Sequence, residues 1–241
     1  IARLVGSEMC IRDSPYMDYE EFLEGNDLNF NYYKPLDEWE SLSINYTSGT
    51  TGNPKGVVYH HRGAYLNAMG NSLEWDMKMH PTYLWTLPMF HCNGWCFPWT
   101  IAMRAGTNIC LRKVTGEKIY DKIFSHGVDY LCGAPTVLSF IINTDPVHVK
   151  KLDRRVKLMT AAAPPPAKIL EQIEKCGFDV THVYGLTEVY GPAVICKWKD
   201  EWNKLGASEK SNLKSRQGVS YLVQELALIH ISEPTRRAII A

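Results

Sequence analysis

The chain has 241 residues, of which 45% are apolar and 11% aromatic, and this is ample for one sizeable buried core. Its 26 basic and 26 acidic residues cancel, and no run of Lys or Arg exceeds two residues. This charge pattern excludes a nucleic-acid groove and a polybasic membrane patch, so the expected partner is a small molecule.

Cysteine usage and hydropathy indicate where the protein works. Seven cysteines, an odd number, lack the paired spacing of a disulfide framework, which favours a reducing compartment. No apolar stretch approaches the roughly 18 residues that span a bilayer, and Arg3 and Glu8 interrupt any signal-peptide core. We therefore predict an intracellular protein, cytoplasmic or peroxisomal, with no integral membrane segment.

The predicted elements alternate between strands and helices along the chain. A short helix at 19–23 precedes strands at 43–47 and 57–59, and the segment 90–99, rich in Gly, Trp and Pro, has no predicted element. Further strands are predicted at 83–88, 107–111, 129–132, 158–161 and 180–184, with helices at 62–73, 116–126, 135–143 and 166–176. This alternation favours an α/β domain with a mostly parallel sheet flanked by helices.

The two ends of the chain do not continue this pattern. Residues 1–14 and 222–241 show no capping, no turn chemistry and no matching hydrophobic period, and they resemble translated sequencing-adapter read-through. We therefore predict a non-native leader at 1–14, a native domain at 15–221 and a non-native tail at 222–241. Ordinary variable termini are the alternative, because termini are often disordered.

The strongest chemical signal is the segment 47–56, Thr-Ser-Gly-Thr-Thr-Gly-Asn-Pro-Lys-Gly. Its hydroxyls and glycines allow the backbone to approach and wrap a polyphosphate, and Lys55 offsets the charge. It is not the phosphate loop of nucleotide kinases, because neither Gly49 nor Gly52 is followed at the required distance by Gly-Lys-Ser/Thr. We predict an anion-binding loop, with a plain Gly/Ser/Thr linker as the alternative.

A second signal is Tyr184-Gly185-Leu186-Thr187-Glu188, where a strand enters a turn. Its aromatic face and bare backbone fall at a sheet edge, where α/β proteins bind ligands. Thr187 is suited to a phosphate oxygen and Glu188 to Mg²⁺. Alone, such residues more often form an ordinary turn.

Two weaker signals lie between these motifs. The segment 160–165 is small and stiff after a strand, which fits either a surface for a flat ring or a tight connection to a helix. His91 stands among bulky apolar residues, and with Cys92 and Cys96 it lacks the fourth ligand that a zinc site needs.

Taken in order, these segments resemble signatures of the adenylate-forming superfamily of acyl-CoA synthetases, luciferases and peptide-synthetase adenylation domains. The resemblance covers about 15–221, and it is closer to acyl-activating enzymes of the butyrate-, benzoate- and cinnamate-CoA ligase type. Segments 57–65 and 189–193 carry this closer likeness. The implied fold is an incomplete large N-terminal domain of the adenylate-forming enzymes.

The resemblance also implies a reaction and a role for each motif. A carboxylic acid attacks the α-phosphorus of ATP, and the acyl group then passes to coenzyme A. Thr187 would contact the α-phosphate, Glu188 would bind Mg²⁺, and His91 would form the aromatic gate between the acyl and nucleotide sites. Tyr184, Gly185, Ala162 and Ala163 would border the adenine, and the β- and γ-phosphates would lie on Thr47, Ser48, Gly49, Thr50, Thr51, Gly52 and Lys55.

The chain departs from the family pattern after Glu188. Family members continue with a Thr-Gly-Asp segment for the ribose and a small C-terminal domain that bears a catalytic lysine, and neither occurs in 189–241. We therefore expect an inactive fragment of an active ligase. A nucleotide-binding module without catalysis and a luciferase-like oxygenase are the alternatives.

Overall fold

The computed structural model describes residues 24, 31, 33–47, 53–161 and 166–224. The chain divides into two compact units, 1–36 and 37–241. Every helix and strand named below belongs to the second unit.

The described elements follow the predicted alternation. The strands are β1 Ser41–Thr47, β2 Lys55–His60, β3 Thr82–Trp85, β4 Thr107–Cys110, β5 Tyr130–Gly133, β6 Val156–Thr160, β7 Phe178–Leu186, β8 Gly191–Ile195 and β9 Val219–Ser220. The helical segments are α1 His61–Glu74, α2 Cys92–Trp95, α3 Phe97–Met103, α4 Gly116–His126, α5 Pro135–Ile142, α6 Ala167–Lys175 and α7 Ala207–Lys214. Two 3₁₀ turns, Thr187–Val189 and Asp200–Lys204, complete them.

The strands form two sheets. β1 and β2 make an antiparallel ribbon in which Thr47 pairs with Lys55. The seven-stranded sheet has the order β4-β3-β5-β6-β7-β8-β9. Its first five strands are parallel, and β8 and β9 join antiparallel. The predicted α/β fold with a mostly parallel sheet is confirmed.

Side chains on alternate strand positions supply two separate cores. Tyr83 and Tyr130 point into one cluster, which also holds Phe97 of α3. Leu84 and Leu131 point into the other, which is closed by α4, α5 and α6. Because a strand alternates its side chains between faces, both faces of this buried parallel sheet are apolar and both carry helices.

Helix α4 shows why some bounds are readable from the sequence. The Thr115 hydroxyl accepts a hydrogen bond from the Lys118 N–H at 3.3 Å, which caps the helix start. Gly127, with φ of 65°, ends the helix in the left-handed conformation. Both signals are local, and the predicted range 116–126 coincides with α4.

Other bounds and elements differ from the prediction. Strand β3 ends at Trp85, three residues before Pro88, because the Thr86 N–H turns back to the Leu84 carbonyl oxygen at 3.1 Å. The segment 90–99, predicted without an element, contains α2 and the start of α3, and the prediction also missed β8, β9 and α7. β8 follows β7 after only four residues, and its first two residues, Gly191 and Pro192, are poor strand formers, while β9 forms by pairing with β8.

Predictions at the two ends are tested only in part. The predicted helix at 19–23 and the segment 1–14 lie outside the described residues. At the other end, Tyr221 is buried, and the Leu222 N–H donates to Glu74 Oε1 at 3.1 Å. The boundary at 221 stays a prediction.

Candidate functional site

Three of the predicted segments follow strands that end at the same edge of the seven-stranded sheet. His91 follows β3, Ala161 follows β6, and Thr187 follows β7. The parallel register, with Thr160 of β6 opposite His182 of β7, places these carboxyl ends side by side. A ligand-binding crevice in an α/β sheet forms outside such ends.

The ribbon carries the two ends of the predicted phosphate loop. Thr47 is the last residue of β1 and Lys55 the first of β2, so their pairing closes the segment between them. Lys55 is exposed and Thr47 is half-buried. The predicted site residues Ser48, Gly49, Thr50, Thr51 and Gly52 lie outside the described residues, as do Ala162 and Ala163.

The Tyr184–Glu188 motif forms the end of β7 and the first turn after it. A Cβ on Gly185 would collide with the carbonyl of Gly191 and would lie 2.9 Å from Pro192 Cα. Glycine is therefore required where β8 crosses back against β7. Tyr184 is half-buried, and Glu188 is exposed beyond the strand end.

Thr187 is held by two side chains from distant parts of the chain. The Tyr59 hydroxyl donates to the Thr187 carbonyl oxygen at 2.6 Å. The Cys92 thiol is hydrogen-bonded to the Thr187 hydroxyl, with Sγ and Oγ1 3.3 Å apart. Burial raises the pKa of the Cys92 thiol and that of the Tyr59 hydroxyl, so both groups are neutral near pH 7.

An unusual backbone turn places Cys92 against Thr187. Five consecutive residues, 92–96, have φ between 42° and 64°, so α2 is a left-handed turn. This conformation costs about 1–2 kcal/mol for each of Cys92, Trp95 and Cys96, whereas Asn and Gly tolerate it. Asn93 fixes the turn, because its Oδ1 accepts from Asn45 Nδ2 at 2.6 Å and from Ser43 Oγ at 2.7 Å.

Tyr190 closes the turn that begins at Thr187. Its ring lies 4.1 Å from the Tyr59 ring, centroid to centroid, and its hydroxyl accepts from the His60 N–H at 3.2 Å. A Cβ on Gly63 would lie 2.7 Å from Tyr190 Cε2 and closer still to Cζ and the hydroxyl. The turn is thus docked on the junction of β2 and α1.

The structure therefore joins some predicted site residues and leaves others apart. Thr187 contacts β2, the strand that begins at Lys55, and β2 spans about 13 Å from Lys55 to Tyr59 at 3.3 Å per residue. His91 is exposed, and its Nε2 lies 3.9 Å from Cys92 Sγ. The convergence of Lys55 and Glu188 on one nucleotide remains a prediction.

A cavity of about 580 Å³ lies elsewhere, near the amino ends of β6 and β7. Its charged lining is largely self-paired, since Lys214 bonds Glu174 and also Asp179 at 3.2 Å, and Lys197 bonds Glu74 at 2.6 Å. Glu74 is buried, so its pairing with Lys197 compensates the burial of a charge. The cavity is separate from the carboxyl edge that carries Thr187.

Comparison with known proteins decides the family. A family model described as "AMP-binding enzyme" matches residues 4–232. The chain belongs to the AMP-binding enzyme family. The match confirms the resemblance found in the motifs, and it extends into both end segments.

Curated relatives are much longer than this chain. An acetate/butyrate–CoA ligase of Arabidopsis thaliana, named as peroxisomal, is 49% identical over 210 residues, which are 87% of this chain and 37% of the relative. A peroxisomal trans-cinnamate:CoA ligase of Petunia hybrida is 44% identical over 220 residues, which are 89% of this chain and 38% of the relative. The chain thus spans less than two fifths of these proteins.

Solved structures share the fold. The inhibitor-bound N-terminal domain of FACL13 from Mycobacterium tuberculosis is 30% identical with a TM-score of 0.59, over 68% of this chain and 41% of that one. O-succinylbenzoate coenzyme A synthetase from Bacillus subtilis, in complex with AMP, has a TM-score of 0.62 at 24% identity, over 77% of this chain and 45% of that one. Among the described residues, no helix is both long and apolar enough to cross a bilayer.

Proposed function

We propose that the chain is part of an ATP-dependent acid–CoA ligase and supplies much of its nucleotide site. In the first step, a substrate carboxylate oxygen bonds to the α-phosphorus of ATP while the bond to pyrophosphate breaks. In the second step, the thiol of coenzyme A attacks the acyl carbonyl, and AMP leaves. The contact between Tyr59 and Thr187 carries the proposal, because it ties the strand after the phosphate loop to the turn after β7.

The roles of the residues follow from the chemistry of the attack. Charge builds on the phosphate oxygens as pyrophosphate leaves, and cations and N–H or O–H donors placed there stabilise it. Lys55 is the exposed cation beside Thr47 at the base of the phosphate loop. The Thr187 hydroxyl is the donor for the α-phosphate, and no protein nucleophile is needed because the carboxylate attacks directly.

The residues present also fit a magnesium ion. Glu188 presents an exposed carboxylate beyond β7, and carboxylate oxygens are among the ligands that Mg²⁺ takes beside nucleotide phosphates. When bound, the ion would neutralise charge on the phosphate oxygens. Glu188 would hold it next to Thr187.

The names of the relatives indicate the class of substrate. Those named above act on acetate, butyrate or trans-cinnamate, so we infer that a small carboxylic acid is the substrate of the parent of this chain, with ATP and coenzyme A. Both relatives are named as peroxisomal, and the parent works in the peroxisome or the cytoplasm. Light-emitting oxygenase chemistry is disfavoured, because the named relatives are ligases.

The full-length parent tests the activity. Acid-dependent pyrophosphate release and thioester formation are measured with acetate, butyrate, benzoate and cinnamate. Lys55→Met and Glu188→Gln should each lower pyrophosphate release about 100-fold, because each removes stabilisation of developing charge. The control is Lys118→Met, which removes an exposed lysine on α4. Binding of ATP without acid-dependent pyrophosphate release would identify the non-catalytic module instead.

The 241-residue chain has its own expected behaviour. It should bind ATP weakly and form no acyl-CoA, because the ribose-binding acid and the C-terminal lysine of the family have no counterpart after Glu188. Its exposed apolar side chains, such as Leu36 and Tyr46, should also lower its solubility. Robust thioester formation by this chain would contradict the assignment of those missing groups.

A further inference from the structure

The ribbon of β1 and β2 does more than carry the phosphate loop. Thr47 and Lys55, which flank the loop, are paired at one end of the ribbon. Farther along, each strand makes its own connection to the turn at Thr187. β2 reaches it directly through Tyr59, and β1 reaches it through Asn93 and Cys92.

We propose that Tyr59 and Asn93 are positioning residues that hold Thr187 at a fixed place relative to the phosphate loop. The donor for the α-phosphate and the donors for the terminal phosphates would then face one nucleotide in a set geometry. This inference rests on the proposed function, since that function places the α-phosphate at Thr187.

The first connection is a single hydrogen bond between a buried tyrosine and a half-buried backbone carbonyl. Tyr59 is 0% exposed, and its hydroxyl reaches a carbonyl oxygen that also accepts from the Tyr190 N–H at 3.2 Å. The Tyr59 ring is fixed by its contact with the Tyr190 ring. Because the ring is buried and packed against Tyr190, the hydroxyl has a fixed position and links β2 to the Thr187 backbone.

The second connection controls the Thr187 side chain. The Asn93 Oδ1 accepts from Asn45 and Ser43, and the Asn93 N–H donates to Asn45 Oδ1 at 3.3 Å. These three bonds hold β1 against a left-handed turn whose backbone is strained. The neighbouring Cys92 thiol contacts the Thr187 hydroxyl, so the turn sets the direction of the group assigned to the α-phosphate.

Together the two connections fix the position of both the backbone and the side chain of Thr187. Tyr59 holds its carbonyl oxygen, and Cys92 holds its hydroxyl. Without the Tyr59 hydroxyl, the Thr187 carbonyl oxygen keeps the local Tyr190 N–H but loses the hydrogen bond that ties it to β2, so the turn should be freer to shift. A misplaced donor lowers the binding of the phosphate it meets and leaves a separate phosphate site unaffected.

Hydrogen exchange of the nucleotide-free chain tests the positioning directly. Tyr59→Phe keeps the ring and removes the hydroxyl, and we expect at least fivefold faster amide exchange in 186–190. The matched control is Tyr130→Phe, because Tyr130 is also buried and its hydroxyl accepts from the Lys78 N–H at 3.1 Å, at the amino end of β5. Unchanged exchange in 186–190 for Tyr59→Phe would overturn the inference.

Asn93→Gly tests the second connection without adding backbone strain. Glycine accommodates the φ of 42° at this position and removes the side-chain bonds, and the backbone freedom that it adds is local to 91–96. We expect faster exchange in both 91–96 and 186–190. A change confined to 91–96 would show that the left-handed turn does not position Thr187.

Ligand binding distinguishes a shift of Thr187 alone from a general loosening of the fold. For Tyr59→Phe, we expect the Kd for AMP to rise about tenfold and the Kd for pyrophosphate to change less than twofold. Equal weakening of both ligands would contradict the inference. A wild-type chain that binds neither ligand would instead refute the proposed function, and the exchange experiment would still decide the positioning.

Discussion

The contact between Gly63 and Tyr190 gives a sharp test of how the Thr187 turn is docked. In Gly63→Ala, the new Cβ would lie 2.7 Å or less from two ring atoms and the hydroxyl oxygen of Tyr190. The ring cannot easily retreat, because it stacks on Tyr59 and accepts a hydrogen bond from His60. Such overpacking costs up to about 3 kcal/mol.

Helix propensity opposes this cost. Gly63 lies inside α1, where Ala is favoured over Gly by about 1 kcal/mol. The net loss in the free energy of unfolding is therefore about 2 kcal/mol, which lowers the Tm by roughly 4–8 °C for a domain of this size. Thermal and urea unfolding of the 241-residue chain measure it.

A double-mutant cycle isolates the clash from other effects of the substitution. When Tyr190→Ala removes the ring, Gly63→Ala should become neutral or stabilising by up to about 1 kcal/mol. The expected coupling between the two positions is about 3 kcal/mol. A loss of about 2 kcal/mol that persists without the ring would refute the contact.

Three further predictions concern the core and the helices. Burial lowers the pKa of His182 below its usual 6.5, so as the pH falls the unfolded state takes up a proton before the folded state does. The free energy of unfolding therefore decreases below about pH 6.5, by up to about 1.4 kcal/mol per pH unit. His182→Gln should flatten this slope, as measured by urea unfolding at pH 7.5 and 5.5. Thr115→Ala should cost about 1 kcal/mol in urea unfolding through loss of the α4 cap, whereas Thr115→Ser should cost much less. Ile141→Ala should cost about 2–5 kcal/mol, because Ile141 is fully buried, and a thermal shift near zero would contradict its place in the core.

Local chemistry explains which parts of the fold could be predicted. α4 is specified by a Thr cap, an amphipathic period and a closing glycine, all within thirteen residues of sequence. The parallel sheet follows from alternating strands and helices. By contrast, β9 is two residues long and exists only through its pairing with β8, so no local pattern identifies it.

The same division applies to the candidate site. Motif order placed His91, Ala161 and Thr187 at the ends of strands, and parallel topology brings such ends to one edge. The Tyr59–Thr187 bond joins residues 128 positions apart, and no sequence signal marks it. The left-handed turn at 92–96 was also missed, because Cys92, Trp95 and Cys96 disfavour that conformation and contacts with β1 hold it.

In the proposed function, one MgATP contacts both the phosphate-loop ribbon and the Thr187 turn. Hydrogen exchange of the 241-residue chain with and without saturating MgATP measures both contacts at once. We expect slower exchange in 47–56 and in 184–190, with little change around the cavity at 197–203. Slower exchange in only one of the two segments, or strongest protection at 197–203, would contradict it.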